Sequence, residues 1–298
     1  GETETETAEF ETADYMLIDF EDFEDIDDLA AACGEGITNP GSAMSISQTG
    51  GYNDSTALKI SNSGDFYIRK LWDFPDMDYF EFYYNVPSGS ANFYLRFYLD
   101  AEDSSYNKRA FVNFSAEGVR LSGSGFMRLP ISSEYMQSGG GATDAEIDTL
   151  NIKGLGFYVN SATEFYIDNI KLYRESALPA QQDKLQAASV RNIMNGLEDG
   201  DYTLVVQRSY SVSGQMTLFP EVNENFNVTS NVSDIAAADF EDKITDGYKY
   251  IYTIYKQGII VCCGRLEPSN RMLINFEDYE DIDDFAAACG EGITNPNS

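Results

Sequence analysis

The chain has 298 residues and a net charge of −31, from 19 basic and 50 acidic side chains, and it contains no histidine. The charge excludes nucleic acid and disfavours anionic membranes as partners, because both are bound through Lys and Arg. The lack of histidine excludes Ser-His-Asp and Cys-His catalysis, and no apolar stretch is long enough to span a membrane. The hydrophobic fraction of 43% indicates a folded core.

The two ends of the chain carry nearly the same sequence. Residues 1–15 are rich in Thr and Glu, which is typical of a solvated linker in a secreted or cell-surface protein. Residues 16–42 then recur at 272–298 with differences only at Asp19/Asn275, Phe23/Tyr279, Leu29/Phe285 and Gly41/Asn297. We therefore expect a tandem array in which 272–298 is the truncated start of a second copy. That segment could exchange strands with residues 16–42 of another chain.

Residues 16–174 are predicted to form a β-sandwich. A strand at 16–20 precedes a short helix that Asp25 or Asp27 can cap. Short alternating segments separated by Gly, Ser and Asn turns then favour a jelly-roll arrangement of two sheets. The candidate strands are 43–48, 56–60, 65–71, 78–85, 91–100, 109–115, 117–121, 126–131, 152–159 and 164–173.

Residues 175–271 have a mixed α/β pattern. A helical pattern covers 179–197, and strands are expected at 201–208, 215–219, 248–256 and 259–266. Gln257-Gly258 between the last two strands predicts a hairpin turn. The segment is either a small second domain or an extension packed on the sandwich. The predicted fold class is thus mainly β, a jelly-roll sandwich followed by a smaller mixed α/β segment.

Three segments of the sandwich together resemble carbohydrate-binding modules of the galactose-binding-like β-sandwich type. They are Phe20-Glu21-Asp22, the loop and strand at 50–60, and the closing strand at 164–172, which reads EFYIDNIKL. The resemblance covers 16–174 only and implies non-catalytic binding of a polysaccharide or oligosaccharide. It also implies a structural Ca²⁺ held by Glu21, Asn53 and Asp168, whose oxygens suit that ion. The alternative is that Glu21 and Asp168 are surface acids.

A sugar-binding face needs aromatic rings beside polar groups. Tyr94, Arg96 and Tyr98 alternate along one strand and therefore share one face. Trp72 is the only tryptophan and could equally belong to the core, and any single tyrosine could be part of a half-buried structural face. The candidate carbohydrate-binding residues are Trp72, Tyr83, Tyr94, Arg96, Tyr98 and Tyr106.

These patterns favour a non-catalytic polysaccharide-binding protein, with the choice between starch-like α-glucan and plant cell-wall β-glycan left open. The second hypothesis is a surface adhesin or scaffold module that binds protein. The third is a glycoside hydrolase. Glu146-Ile147-Asp148 resembles the strand motif of jelly-roll glucanases, but Asn151 stands where the second glutamate is needed, so we interpret the match as coincidence.

Overall fold

The structure is a computed structural model that describes residues 15–32, 37–38, 44–61, 64–75, 77–99, 108–113, 120–148, 151–159, 164–179, 182, 185–212, 215–245 and 248–266. The second copy of the repeat and the Thr/Glu segment up to residue 14 lie outside these residues. The described chain is mainly β, with a jelly-roll sandwich followed by a smaller α/β part. None of its described helices is long and apolar enough to cross a membrane.

The sandwich is built from antiparallel strands, as the alternating sequence predicts. They are β1 (Tyr15–Ile18), β2 (Ile37–Thr38), β3 (Met44–Ser47), β4 (Ala57–Ile60), β5 (Gly64–Pro75), β6 (Tyr79–Ala91), β7 (Phe93–Tyr98), β8 (Arg109–Asn113), β9 (Leu121–Pro130), β10 (Gln137–Gly139), β11 (Asn151–Val159) and β12 (Phe165–Tyr173). Most of the strand predicted at 117–121 lies outside the described residues, and the strand predicted at 126–131 extends back to Leu121.

Two sheets of the described chain face each other. Sheet A has the order β3-β4-β12-β6-β9, and β1 pairs with the half of β12 that β4 leaves open. Sheet B has the order β10-β8-β7-β11-β5-β2. Successive strands from β4 to β7 alternate between sheet A and sheet B. Neighbouring strands within each sheet are therefore distant in sequence, and the core forms only when these distant segments pair.

The core between the two sheets is strongly aromatic. Phe80 and Phe82 of β6 meet Phe97 and Phe93 of β7, with ring centroids 5.1 and 5.7 Å apart and edge-on orientations. All four side chains are fully buried. Full burial of one such side chain contributes about 1.5–3 kcal/mol to the free energy of folding. The four rings therefore stabilise the packing of sheet A on sheet B.

A short helix, α1 (Ile26–Ala32), follows the first strand, as predicted, and a second short helix, α2 (Asp144–Asp148), lies between β10 and β11. Asp25 Oδ1 accepts hydrogen bonds from the backbone N–H of Asp27 at 2.8 Å and of Asp28 at 3.1 Å. Asp25 therefore satisfies two of the free N–H groups at the start of the helix. The helix buries Leu29 in the core, with Ile26 packed beside it.

The C-terminal part of the described chain is a third sheet with a helix on one face. Its elements are α3 (Ala187–Asn195), β13 (Gly200–Val212), β14 (Gln215–Thr229), β15 (Val232–Ser233), β16 (Tyr250–Lys256) and β17 (Ile259–Leu266). Sheet C has the order β15-β14-β13-β16-β17. Helix α3 packs Val190 and Met194 into the core on one face of this sheet.

In the C-terminal part the predicted hairpin turn is present, but the predicted helix is shorter than expected. The Gln257-Gly258 hairpin is confirmed, because both residues have positive φ, 52° and 76°, as the tight turn between β16 and β17 requires. The helix predicted over 179–197 is shorter. The backbone N–H groups of Gln182 and Leu185 donate to the carbonyls of Cys263 and Arg265, so this stretch pairs with β17 before α3 begins.

Candidate functional site

The outer face of sheet B carries the residues that the sequence singled out on β7. Phe93, Leu95 and Phe97 are fully buried against sheet A, so the alternate residues Tyr94, Arg96 and Tyr98 lie on the opposite face. Tyr94 and Arg96 are half-buried, and the Arg96 guanidinium lies 6.0 Å from the centre of the Tyr94 ring. Tyr98 is only 3% exposed, so Tyr94 and Arg96 are the two that remain accessible.

Strands β8 and β10, which lie on one side of β7, extend this face. On β8, Phe111 lies opposite Arg96 and Arg109 lies opposite Tyr98. On β10, Gln137 lies opposite Phe111, and its buried Oε1 atom has no hydrogen-bond partner. A row of Gln137, Phe111 and Arg96 thus crosses three strands, with one apolar ring between two groups that can hydrogen-bond.

Next to this row, β11 presents glycines where other strands present side chains. Gly156 lies opposite Arg96 and Gly154 opposite Tyr98. Glycine inside a strand often marks close approach by a ligand or another backbone. Both glycines are buried, and their alternate positions within the strand predicted at 152–159 were a visible signal that no prediction used. We call Tyr94, Arg96, Phe111, Gly154 and Gly156 the sheet B face.

The remaining aromatic candidates lie elsewhere. Tyr83 is on the outer face of sheet A, where its ring meets those of Tyr52 at 5.5 Å and Phe126 at 5.4 Å. Burial raises the pKa of its hydroxyl. Trp72 lies on β5 in the stretch where the pairing with β11 shifts register, and Tyr106 lies outside the described residues. The structure therefore does not gather the six candidates into one site.

The predicted metal ligands Glu21 and Asp168 both bind the same polar loop. Asp168 Oδ2 accepts hydrogen bonds from the Tyr52 N–H at 2.9 Å and the Ser55 hydroxyl at 2.7 Å. Glu21 accepts from the N–H of Thr56 at 2.9 Å and from its hydroxyl at 3.1 Å. Burial raises the pKa of Asp168, and the nearby charge of Glu21 adds to the shift. We call this arrangement the carboxylate clamp.

The carboxylate clamp does not by itself form a calcium site. Its carboxylates already accept N–H and O–H donors, whereas Ca²⁺ requires six to eight oxygen ligands. Asn53, the third predicted ligand, is exposed and makes no described contact with either acid. Nowhere in the described residues do three acidic or cysteine side chains group around one point that could hold a metal ion. The calcium ion stays a prediction from the resemblance.

The outer face of sheet A is covered by sheet C, and the contact includes a fully buried arginine. Arg128 of β9 is 1% exposed and donates from Nε to the Thr253 hydroxyl at 2.9 Å and from Nη2 to the Tyr252 carbonyl at 3.2 Å. Its backbone exchanges two hydrogen bonds with the side-chain amide of Gln207, at 3.0 and 2.8 Å. The Arg128 guanidinium also lies 5.1 Å from the centre of the Tyr79 ring.

A buried glutamate completes this contact. Glu81 of β6 lies opposite Arg128 in the sheet and is fully buried. Its carboxylate accepts hydrogen bonds from the hydroxyls of Tyr173 at 3.0 Å and Tyr255 at 2.9 Å, and Lys171 Nζ lies 3.4 Å away. Sheet A and sheet C are therefore joined by hydrogen bonds between buried polar groups, in which Arg128 Nη1 is buried without a hydrogen-bond partner. We call this arrangement the A–C junction. Sequence alternation gave no reason to expect its burial.

The glucanase-like motif has a different conformation from the one its chemistry needs. Glu146 and Asp148 lie on a short helix, α2 (Asp144–Asp148), rather than on a strand. Glu146 accepts from Thr143 and pairs with Lys108, while Asp148 accepts from Ser133. The alternating strand geometry of a retaining carboxylate pair is absent from this described segment.

No family model matches the chain, and no curated protein matches it. The solved structures to which it is similar are mostly carbohydrate-binding modules. One is a family 22 module joined to a family 10 xylanase domain of Clostridium thermocellum, solved with xylohexaose: the TM-score is 0.33, the identity 17%, and the match covers 61% of this chain and 35% of that one.

Two further similar structures also come from Clostridium thermocellum cellulases. For a family 11 carbohydrate-binding module the TM-score is 0.34 and the identity 14%, and the match covers 53% of this chain and 95% of that one. For a family 30 carbohydrate-binding module the TM-score is 0.33 and the identity 14%, and the match covers 47% of this chain and 87% of that one. Because these TM-scores are below 0.5, the likeness carries no functional inference for this chain.

Proposed function

We propose that this chain binds a neutral polysaccharide without catalysis, through the sheet B face. The observation that carries the proposal is the row of Gln137, Phe111 and Arg96 across three strands, with Tyr94 next to Arg96 on β7. An aromatic ring offers an apolar surface for the carbon-hydrogen face of a sugar, while arginine and amide groups bind its hydroxyls.

The charge of the protein favours a neutral glycan over an acidic one. With 50 acidic against 19 basic residues, the protein field repels uronic acids and sulfated sugars. Starch-like α-glucan and plant cell-wall β-glycan both meet this condition. The extracellular setting is supported by the Thr/Glu segment and by the repeat, because linked weak sites on a secreted or surface protein gain avidity through effective concentration.

Retention on insoluble polysaccharide tests the proposal. We expect the wild-type chain to be retained on at least one of starch, cellulose, xylan or mannan. Arg96→Ala and Phe111→Ala should each weaken binding about tenfold or more, which corresponds to about 1.4 kcal/mol. Arg120→Ala makes the same chemical change at an exposed position outside the face and should bind as the wild type does.

Two outcomes would count against the proposal. Retention on none of these glycans, with capture of a protein partner instead, would favour the adhesin hypothesis. Release of reducing sugar by the wild type would favour a glycoside hydrolase.

We further propose strand exchange between copies. β1 pairs with β12 through Met16 opposite Leu172 and Ile18 opposite Ile170, and Ile18 and Phe20 are buried. Residues 272–276 repeat this strand with the same apolar residues and one change, Asn275 for Asp19. The segment can therefore supply the same pairing to β12 of a second chain.

Light scattering across a concentration series tests the exchange. We expect concentration-dependent dimers or larger species that Phe276→Asp reduces, because its counterpart Phe20 is fully buried. Glu280→Ala is the matched control, since its counterpart Glu24 is exposed. A strictly monomeric wild-type chain at all concentrations would overturn strand exchange and leave glycan binding untouched.

A further inference from the structure

A polar groove lies where the turn at residues 52–54 of the sandwich meets sheet C. Its volume is about 500 Å³, and Tyr52, Asn53, Thr203 and Asn225 line both this groove and an adjoining recess of about 280 Å³. A pocket of this volume is within the range that holds small organic ligands. The groove is on the sheet A side of the sandwich and shares no lining residue with the sheet B face.

A row of amides forms one wall of the groove and of the recess, with Asn227 on the groove, Asn223 on the recess and Asn225 on both. Asn223, Asn225 and Asn227 alternate along β14 and so lie on one face of sheet C. Asn223 donates to the Ser124 carbonyl at 2.6 Å, and Asn227 donates to Asp201 at 2.9 Å. Asn225 is exposed, and its Oδ1 accepts from the Thr203 hydroxyl at 2.7 Å. In the described contacts the Nδ2 group of Asn225 is not engaged, so it can donate to a ligand.

An aromatic ring forms the opposite wall and is held rigidly. Tyr52 contacts Tyr83 and Phe126, with centroids 5.5 and 5.0 Å away. Its backbone N–H is fixed by Asp168 of the carboxylate clamp. Asn53 beside it is exposed and has a left-handed backbone, with φ of 55°, which asparagine tolerates better than most residues. The ring and the amide are thus pre-organised on the rim, which lowers the entropic cost of binding.

The charge of the groove selects among ligand classes. Asp201 and Asp234 line it, and among its described lining residues there is no lysine or arginine. Each of these carboxylates accepts one hydrogen bond from Asn227, leaving oxygen lone pairs available for further donors. Carboxylates accept from hydroxyl groups and repel anions. The groove therefore disfavours phosphates, sulfates and uronic acids.

We propose that this groove is a second carbohydrate site, which binds a short neutral oligosaccharide or the end of a chain. Tyr52 supplies the stacking surface, Asn225 and Asn53 donate to sugar oxygens, and Asp201 and Asp234 accept from sugar hydroxyls. The site does not require the sheet B face to bind. Two sites on opposite sides of one sandwich would let a single module contact two glycan chains.

Calorimetric titration and NMR titration of the full chain test the second site. The probes are xylohexaose, cellohexaose, mannohexaose and maltohexaose, with the glucosamine hexamer as a cationic comparison. Asn225→Ala and Asn53→Gly remove one donor each, and glycine keeps the left-handed backbone of residue 53. Each should weaken one of two binding events about fivefold to tenfold, the effect of one lost hydrogen bond. Asn192→Ala, on the exposed side of α3, is the matched control.

The expected result is two binding events, with amide shifts at 201–203 and 225–227 that persist in Arg96→Ala. If Arg96→Ala abolishes all binding and the groove amides do not shift, the second site is overturned while the sheet B face stands. If Asn225→Ala abolishes all binding and Arg96→Ala has no effect, the sheet B face fails and the groove stands. Groove shifts with the glucosamine hexamer alone would overturn the neutral ligand class.

Discussion

The two faces of sheet A are buried by different means. Its inner face meets sheet B through aromatic and aliphatic side chains such as Phe80 and Phe82. Its outer face meets sheet C partly through stacked rings, Phe126 on Tyr255 at 4.5 Å, and partly through the buried Arg128 and Glu81 with their hydrogen-bond partners. An apolar interface tolerates rearrangement if volume is kept, whereas hydrogen bonds in a buried network are directional and hold their partners in one geometry. The A–C junction therefore fixes how sheet C sits, and with it the shape of the groove.

The largest expected effect comes from removing Arg128. Arg128→Ala should destabilise the protein by about 3–5 kcal/mol, because it empties a large buried volume and removes the side-chain donor to the Thr253 hydroxyl and the Tyr252 carbonyl. Urea unfolding gives the free energy, and hydrogen exchange should show protection lost in β13 and β16 before β7 and β11. Arg120→Ala, an exposed arginine, should change stability by less than about 0.5 kcal/mol. Equal loss of protection in all three sheets would contradict a distinct junction.

A smaller effect is expected from opening the carboxylate clamp. Asp168→Ala leaves the Tyr52 N–H and the Ser55 hydroxyl without their acceptor, at a cost of about 1–3 kcal/mol. Because the clamp positions Tyr52, oligosaccharide affinity at the groove should fall while binding at the sheet B face is kept. Asp22→Ala removes the same charge at an exposed position and serves as the control. Unchanged thermal stability in Asp168→Ala would show that the hydrogen bonds contribute nothing.

Alanine substitution of two glycines distinguishes the cost of backbone strain from the effect of moving the Tyr52 ring. Gly258 and Gly141 both have positive φ, 76° and 86°. A Cβ at 258 would lie 2.9 Å from the Tyr52 ring, whereas a Cβ at 141 would meet nothing within 4 Å. In both alanine variants the free energy of unfolding should fall by about 1–2 kcal/mol, because alanine is strained in the left-handed backbone conformation. Only Gly258→Ala should also weaken oligosaccharide binding at the groove, because only its new Cβ displaces the Tyr52 ring. Equal oligosaccharide affinity of the two variants would show that the position of Tyr52 does not matter for binding.

The smallest effect is expected from calcium. If Glu21 and Asp168 hold the Ca²⁺ that the resemblance implies, adding Ca²⁺ should raise the melting temperature of the wild type and a chelator should reverse the rise, since a ligand that binds only the folded state stabilises it. The rise should be small, because both carboxylates already accept hydrogen bonds from the protein. Asp168→Ala should abolish it, and an unchanged melting temperature in the wild type would contradict the ion.

The sandwich could be predicted because its signals are local. Alternation along Phe93–Tyr98 determines which side chains enter the core, and Asp25 marks the start of α1. The A–C junction could not be predicted, because Glu81 and Arg128 lie on strand faces that the same alternation assigns to solvent. The groove could not be predicted either, because Asn225 lies on β14 beyond the strand predicted at 215–219. Their burial or grouping depends on where sheet C docks, which is a long-range property of the chain. The late start of α3 has the same origin, since pairing with β17 competes with a local helical pattern.

NMR titration of the full chain with the polysaccharide fragment that it retains best tests the central claim most directly. If the sheet B face binds glycan, the amides of residues 94–98, 109–112 and 154–156 will shift in a saturable manner, and Arg96→Ala will shift the titration to higher ligand concentration. If these amides stay unchanged while the ligand binds elsewhere, the sheet B face is not the carbohydrate-binding surface.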